Sequence, residues 1–128
     1  MRKYLLDTHV VLWIAENSPK LSVVAKKVVI GHSNEKYVSI VSAWEVSIKL
    51  GTDKLRLDGG LPEFFRIVDL NGFEVLPIER RYLGRLAELP QIHKDPFDRL
   101  LVAMALSEGM TILTTDENIH KYDVNCVW

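Results

Sequence analysis

A single cysteine, Cys126, stands among the 128 residues. That excludes an internal disulfide framework and fits a reducing compartment. Long apolar runs are also missing: no stretch approaches the roughly 20 residues that a helix needs to span a bilayer. The N-terminal MRKYLLDTHVVLWIAE begins basic and turns apolar, yet Asp7 and His9 interrupt it and no small-residue cleavage site follows. It therefore does not read as a signal peptide, and the expected location is the cytoplasm, with no membrane contact. No repeat or low-complexity tract is visible. Neither charge is in excess, with 16 Lys and Arg against 17 Asp and Glu for a net charge of −1. This argues against nucleic-acid binding through bulk basicity.

Familiar catalytic signatures are absent too. There is no G-x-x-x-x-G-K-[ST] and no G-x-G-x-x-G, which argues against nucleotide binding by those loops. Histidines 9, 32, 93 and 120 show no zinc-ligand spacing. His9 reads as structural. Ser33, Ser39, Ser42, Ser47 and Ser107 lie in no nucleophile-elbow context, so a Ser-His-Asp hydrolase is not expected.

What is present is an alternation of short β-prone and helical segments. The best-marked one is HKDPFDRLLVAMALSEGMTILTTD, His93 to Asp116. Asp95 serves as an N-cap and Pro96 fits the first helical position. Leu100, Leu101, Ala103, Met104 and Leu106 give a broad apolar face. Gly109 stops the helix. Met110 to Thr114 reads as a buried parallel strand. Further strands are expected at Lys3–Leu6, Tyr37–Val41, Phe73–Pro77 and about Val124–Trp128. Helices are expected at His9–Glu16, from Ser22 to about Ile30, from a Ser42 capping box to Gly51, from Leu61 to about Leu70, and over Glu79–Leu89. One domain over 1–128 follows, an α/β fold with helices on both faces of a short, mainly parallel sheet: a three-layer α/β/α sandwich. In such sheets ligands sit beyond the carboxyl ends of the strands, where strand order reverses.

Four carboxylates occupy that kind of position. Asp7 follows the first strand, Glu45 lies in the first turn after the second, Asp98 lies in the first turn of the well-marked helix, and Asp116 follows the strand after it. Each has a local explanation. Asp7 and Asp116 can cap helices, Glu45 can complete the capping box of Ser42, and Asp98 gains from the helix dipole. Together they say more, because parallel strands deliver their ends to one edge. Two carboxylates 4 Å apart repel by about 4 kcal/mol at an effective dielectric near 20. Such a cluster either protonates or holds cations. All-oxygen donors favour Mg²⁺ or Mn²⁺, and the chemistry suggested is metal-assisted attack of water on a phosphodiester. Setting the four acids aside leaves 16 basic against 13 acidic residues. The remaining surface is then mildly basic, which suits an anionic substrate.

LLDTHVVLW at 5–13, SAWEVSIKLG at 42–51, DPFDRLLVAMA at 95–105 and LTTD at 113–116 together resemble the PIN-domain ribonucleases. The nearest branch is the VapC-like toxins of type II toxin–antitoxin systems, and the resemblance spans essentially the whole chain. It implies an endoribonuclease dependent on Mg²⁺ or Mn²⁺, with Asp7, Glu45, Asp98 and Asp116 as the catalytic, metal-holding acids. Thr8 and Thr114 match hydroxyls that hydrogen-bond ligands or metal waters. The resemblance further implies a homodimer, a small cognate antitoxin lying along a groove to the site, and DNA contact only through that antitoxin.

Arg99 and Lys49, each sharing a helix with a site acid, are the phosphate-contact candidates. Arg80, Arg81 and Lys94 are further ones, with solvated surface charge favoured for the first two. Asp95 is a possible contributor but is assigned to capping. Trp13, Trp44, Phe64, Phe65 and Trp128 are candidates for base stacking, with core or interface packing favoured for most. Leu21, Val24 and Val28 with Phe64 and Phe65 suggest apolar surface for a partner. Three other readings stand beside this one. A receiver-like Mg²⁺-binding module needs a second acid after strand one and an Asp after strand three, and neither is present. A catalytically silent antitoxin-binding protein would not need the four acids. A PIN-type RNA-processing nuclease outside a toxin pair differs in context only.

Overall fold

The computed structural model describes residues 2–128. Five strands and seven helices follow one another: β1 (Lys3–Leu6), α1 (Thr8–Ala15), α2 (Val23–Ile30), β2 (Glu35–Ser39), α3 (Ile40–Gly51), α4 (Gly60–Leu70), β3 (Glu74–Leu76), α5 (Arg80–Glu88), α6 (Pro96–Glu108), β4 (Thr111–Leu113), α7 (Glu117–His120) and β5 (Cys126–Val127). The strands form one sheet in the order β3-β2-β1-β4-β5. Every pairing is parallel.

Side chains alternate across β1 and so build two cores. Tyr4 and Leu6 join Val10, Val11, Val28, Phe64 and Val68 on one face. Leu5 joins Tyr82, Leu101, Met104 and Ile119 on the other. Helices thus cover both faces, as the continuous apolar runs of the strands require. Among the described residues, no helix is long and apolar enough to cross a membrane.

The well-marked helix forms where its signals lie. The Asp95 carboxylate accepts from the backbone N–H groups of Phe97 and Asp98 at 2.8 and 3.2 Å. Gly109 closes the helix at φ 66°, a left-handed conformation that glycine adopts without Cβ strain.

Most element ends lie within one or two residues of expectation, and one such shift changes the reading of the site. The second strand ends at Ser39, not Val41, and Ser39 rather than Ser42 caps α3, its hydroxyl accepting from the Val41 N–H at 3.0 Å. Ile40 and Val41 look β-prone in sequence, but the Ser39 cap turns the chain into the helix two residues earlier. Glu45 therefore lies in the second turn of α3 and is no capping-box partner. Two residues offered as partner surface also lie inside the core: Val28 and Phe64 are buried, whereas Val23, Val24 and Ile30 of α2 are exposed.

Candidate functional site

Strand order reverses between β1 and β4, so the crevice beyond their carboxyl ends is the expected binding place of an open parallel sheet. The register sets Leu6 opposite Leu113, which brings the next residues of both strands together. The Asp7 N–H donates to the Leu113 carbonyl at 3.1 Å, and the Thr114 hydroxyl donates to Asp7 Oδ2 at 2.7 Å. Asp7 occupies the N-cap position of α1, yet its carboxylate makes no cap hydrogen bond. The local explanation for Asp7 thus fails. A buried carboxylate is held at the edge of the sheet with Oδ1 4.0 Å from His9 Nδ1.

Asp116 does cap α7, accepting from the Asn118 N–H at 2.8 Å through Oδ1. Its own N–H donates to Thr114 Oγ1 at 3.0 Å. Thr114 thus ties both strand-end acids into one unit. Across the crevice, Asp98 Oδ2 lies 2.9 Å from His93 Nε2. His93, Asp98 and Asp116 each offer one ligand atom, all within 4.8 Å of one another.

Glu45 approaches from α3. Thr8 Oγ1 lies 2.9 Å from Glu45 Oε1 and 2.8 Å from Ser42 Oγ. A hydroxyl carries one proton, and a carboxylate only accepts, so Thr8 donates to Glu45 and Ser42 supplies its own hydrogen. Lys49, one turn along α3, donates to Glu45 Oε2 at 2.7 Å. Both Glu45 oxygens are therefore engaged, and Lys49 is held beside the site.

The electrostatics report the same convergence. Burial, then the charges of Asp7 and Asp95, push the Asp98 carboxyl up from 3.8 to about 7, with Asp116 adding to the rise. The Asp7 carboxyl is also raised, first by burial and further by Glu45 and Asp116; the Thr114 hydrogen bond opposes this. Crowded carboxylates in a partly dry site oppose one another's ionisation. A divalent cation would relieve this, and the mainly oxygen donor set would fit a hard one.

A family model described as PIN domain matches residues 4–125. The chain belongs to the PIN-domain family. This PIN domain is similar to ribonuclease VapC22 of Mycobacterium tuberculosis, with 26% identity over 124 residues that cover 95% of this chain and 93% of that protein. Its fold matches that of VapBC2 from Rickettsia felis, solved bound to a promoter DNA fragment. The TM-score is 0.72 at 14% identity, covering 98% of this chain and 97% of the other. It also matches FitAcB from Neisseria gonorrhoeae, with TM-score 0.68 at 20% identity, covering 98% and 96% of the two chains.

Arg99 is not at the site of this PIN domain, contrary to the role expected for it. Its guanidinium is buried, donating to the Pro90 carbonyl at 2.9 Å and to the Tyr122 hydroxyl at 3.0 Å. Adjacent helical residues point about 100° apart, so a neighbour of Asp98 need not share its face. Arg99→Ala should leave these acceptors short of a donor and cost about 1–3 kcal/mol. Urea denaturation checks this; an unchanged midpoint would contradict it.

Two residues went unrecognised in the sequence. Ser42 carries a faint signal, lying three residues before Glu45 on the same helical face. His93 carries none, because its place depends on the loop before α6. A cavity of about 680 Å³ lies at the opposite edge of the sheet around Arg2, Thr111 and Cys126 and is lined by none of the site acids. A smaller one of about 260 Å³ touches the site through Thr8 and Lys49 and extends past Trp13 to Lys20 and Lys54.

Proposed function

We propose that residues 1–128 form a single metal-dependent endoribonuclease domain, the toxin of a type II toxin–antitoxin pair acting in the cytoplasm. The observation that carries this reading is the Asp7 carboxylate, free of any capping role and tied through Thr114 to Asp116 where strand order reverses, with a ligand atom of Asp98 within 4.8 Å of one on Asp116. Asp7, Asp98 and Asp116 would hold Mg²⁺ or Mn²⁺. Bound there, the ion supplies Lewis acidity, lowering the pKa of a water and offsetting charge on the phosphate oxygens.

The chain's own groups do the rest. Thr114 aims the Asp7 carboxylate and fixes its distance from Asp116. Glu45 orients Thr8 and holds the Lys49 ammonium where a phosphate would approach. The lysines and Trp13 around the adjoining cavity suit a single strand, with cations tracking the backbone and a ring for bases. VapC22's name as a ribonuclease supports RNA as the substrate.

An antitoxin segment would lie on α1 and α2, where Trp13, Ile14, Leu21, Val29 and Ile30 line a cavity of about 260 Å³. Fold similarity to toxin–antitoxin assemblies, and to VapBC2 on promoter DNA, supports such a partner, and DNA contact would be made only through it. Ile40, Trp44 and Ile48 form an exposed apolar row on α3, which suits a homodimer. Trp44 stands edge-on to Phe97 with ring centroids 5.2 Å apart.

The test is cleavage of a labelled RNA pool by the purified protein. Cutting in Mg²⁺ or Mn²⁺ that stops in EDTA, leaving 5′-phosphate and 3′-hydroxyl ends, is the expected result. Products ending in 2′,3′-cyclic phosphate would contradict attack by water.

A further inference from the structure

We propose that His93 is a nitrogen ligand of the ion, binding beside Asp98 and Asp116, and that it tunes the site toward Mn²⁺ over Mg²⁺. The inference rests on the metal-dependent reading above.

Distance supports it first. Two ligand atoms at right angles on an octahedral ion with bonds of about 2.1 Å lie about 3.0 Å apart. His93 Nε2 and Asp98 Oδ2 are 2.9 Å apart. They can therefore take adjacent positions on one ion with almost no movement. A simple ion pair would explain those two groups. It does not explain the third atom, on Asp116, which comes from a different element and lies within 4.8 Å of both.

The imidazole is also held in place. Its ring is mostly buried, with 19% of the side chain exposed against 56% for His9. The His93 N–H donates to the Tyr122 hydroxyl at 3.0 Å. Arg99 donates to that same hydroxyl and to the Pro90 carbonyl, three residues before His93. The Ile92 N–H closes a turn on Pro90 at 3.0 Å. Buried Arg99 thus anchors both ends of the short segment carrying His93, so the ring reaches the crevice without ordering a mobile loop.

The chemical consequence follows from ligand type. Mg²⁺ prefers oxygen and gives up its waters reluctantly, whereas Mn²⁺, also at home among carboxylates, is a transition ion and accepts an imidazole nitrogen more readily. A set of three carboxylates and one imidazole therefore separates Mn²⁺ from Mg²⁺ more than carboxylates alone.

The experiment uses the full chain with Mn²⁺ as the probe. Pulsed EPR of the bound ion should show coupling to a directly bonded ¹⁴N, lost in His93→Ala and in His93→Gln. The glutamine variant keeps a donor toward Asp98 and offers the ion oxygen, so it guards against mere loss of fold. In titration calorimetry, Mn²⁺ affinity should fall roughly 10- to 100-fold in His93→Ala, the range seen when even an outer partner of a metal ligand is removed. Mg²⁺ affinity should change by less than about threefold, because that ion gains little from nitrogen. Mn²⁺ bound at Asp98 with no nitrogen coupling, or equal losses for both ions, would overturn the assignment of His93 and leave the metal site standing. If Asp98→Asn binds Mn²⁺ as the native chain does, the metal reading itself fails, and this inference with it.

Discussion

Asp98→Asn should make the metal-free protein more stable than the native chain at about pH 8, by on the order of 2–4 kcal/mol. The reason is the position of Asp98 rather than its contacts. The unfolded chain releases this proton near 3.8, but the folded chain keeps it to about 7 because burial and the charges of Asp7, Asp95 and Asp116 oppose ionisation. A group whose pKa is raised by folding contributes its stability below the unfolded value and loses it as pH climbs through the folded one. Metal-free stability should therefore fall between about pH 4 and pH 7. The raised pKa of Asp7 acts in the same direction. The amide cannot ionise, so the gap between variant and native should shrink toward pH 4.5. Urea denaturation in EDTA at both pH values measures it. An Asp98→Asn protein less stable than the native chain at pH 8 would mean that the carboxylate is a structural asset, as an ordinary helix-start acid is.

Divalent ions should reverse this penalty. At an ion concentration about 100 times the dissociation constant, binding to the folded state alone adds about 2.7 kcal/mol. For a chain of this size that corresponds to a rise of Tm on the order of 10 °C. The gain should be larger at pH 8 than at pH 5, because the carboxylates must shed their protons to bind. Asp98→Asn should gain little. Thermal melts with and without Mn²⁺ test this; a native chain whose Tm ignores the ion at pH 8 would remove the cation from the account.

Local signals made much of the molecule readable in the sequence. Asp95, Pro96 and Gly109 bound α6 through chemistry contained in a few residues, and the structure keeps that cap and that stop. The strand ends that deliver Asp7 and Asp116 to one edge were readable for the same reason, since parallel βα units force that arrangement. Lys49 was legible beside Glu45 because residues four apart share a helical face.

Where competing local signals or distant contacts decide, local pattern does not suffice. Ile40 and Val41 resemble the end of a strand, and only the Ser39 cap decides otherwise. Arg99 follows Asp98 in the chain but points away from it, toward Pro90 and Tyr122. His93 reaches Asp98 because Tyr122, 29 residues away, receives its N–H. No short-range pattern encodes such a contact.

The most direct measurement is single-turnover cleavage of RNA by Asp98→Asn beside the native chain, in Mn²⁺ and again in Mg²⁺. The metal-free variant should be at least as stable as the native protein, so it should stay folded in the assay and lost cleavage could not be ascribed to unfolding. Losing a carboxylate that holds the ion removes several kcal/mol of transition-state stabilisation, so the rate should drop on the order of 10³-fold. Cleavage by folded Asp98→Asn at the native rate would contradict the claim that these converging acids are the catalytic site.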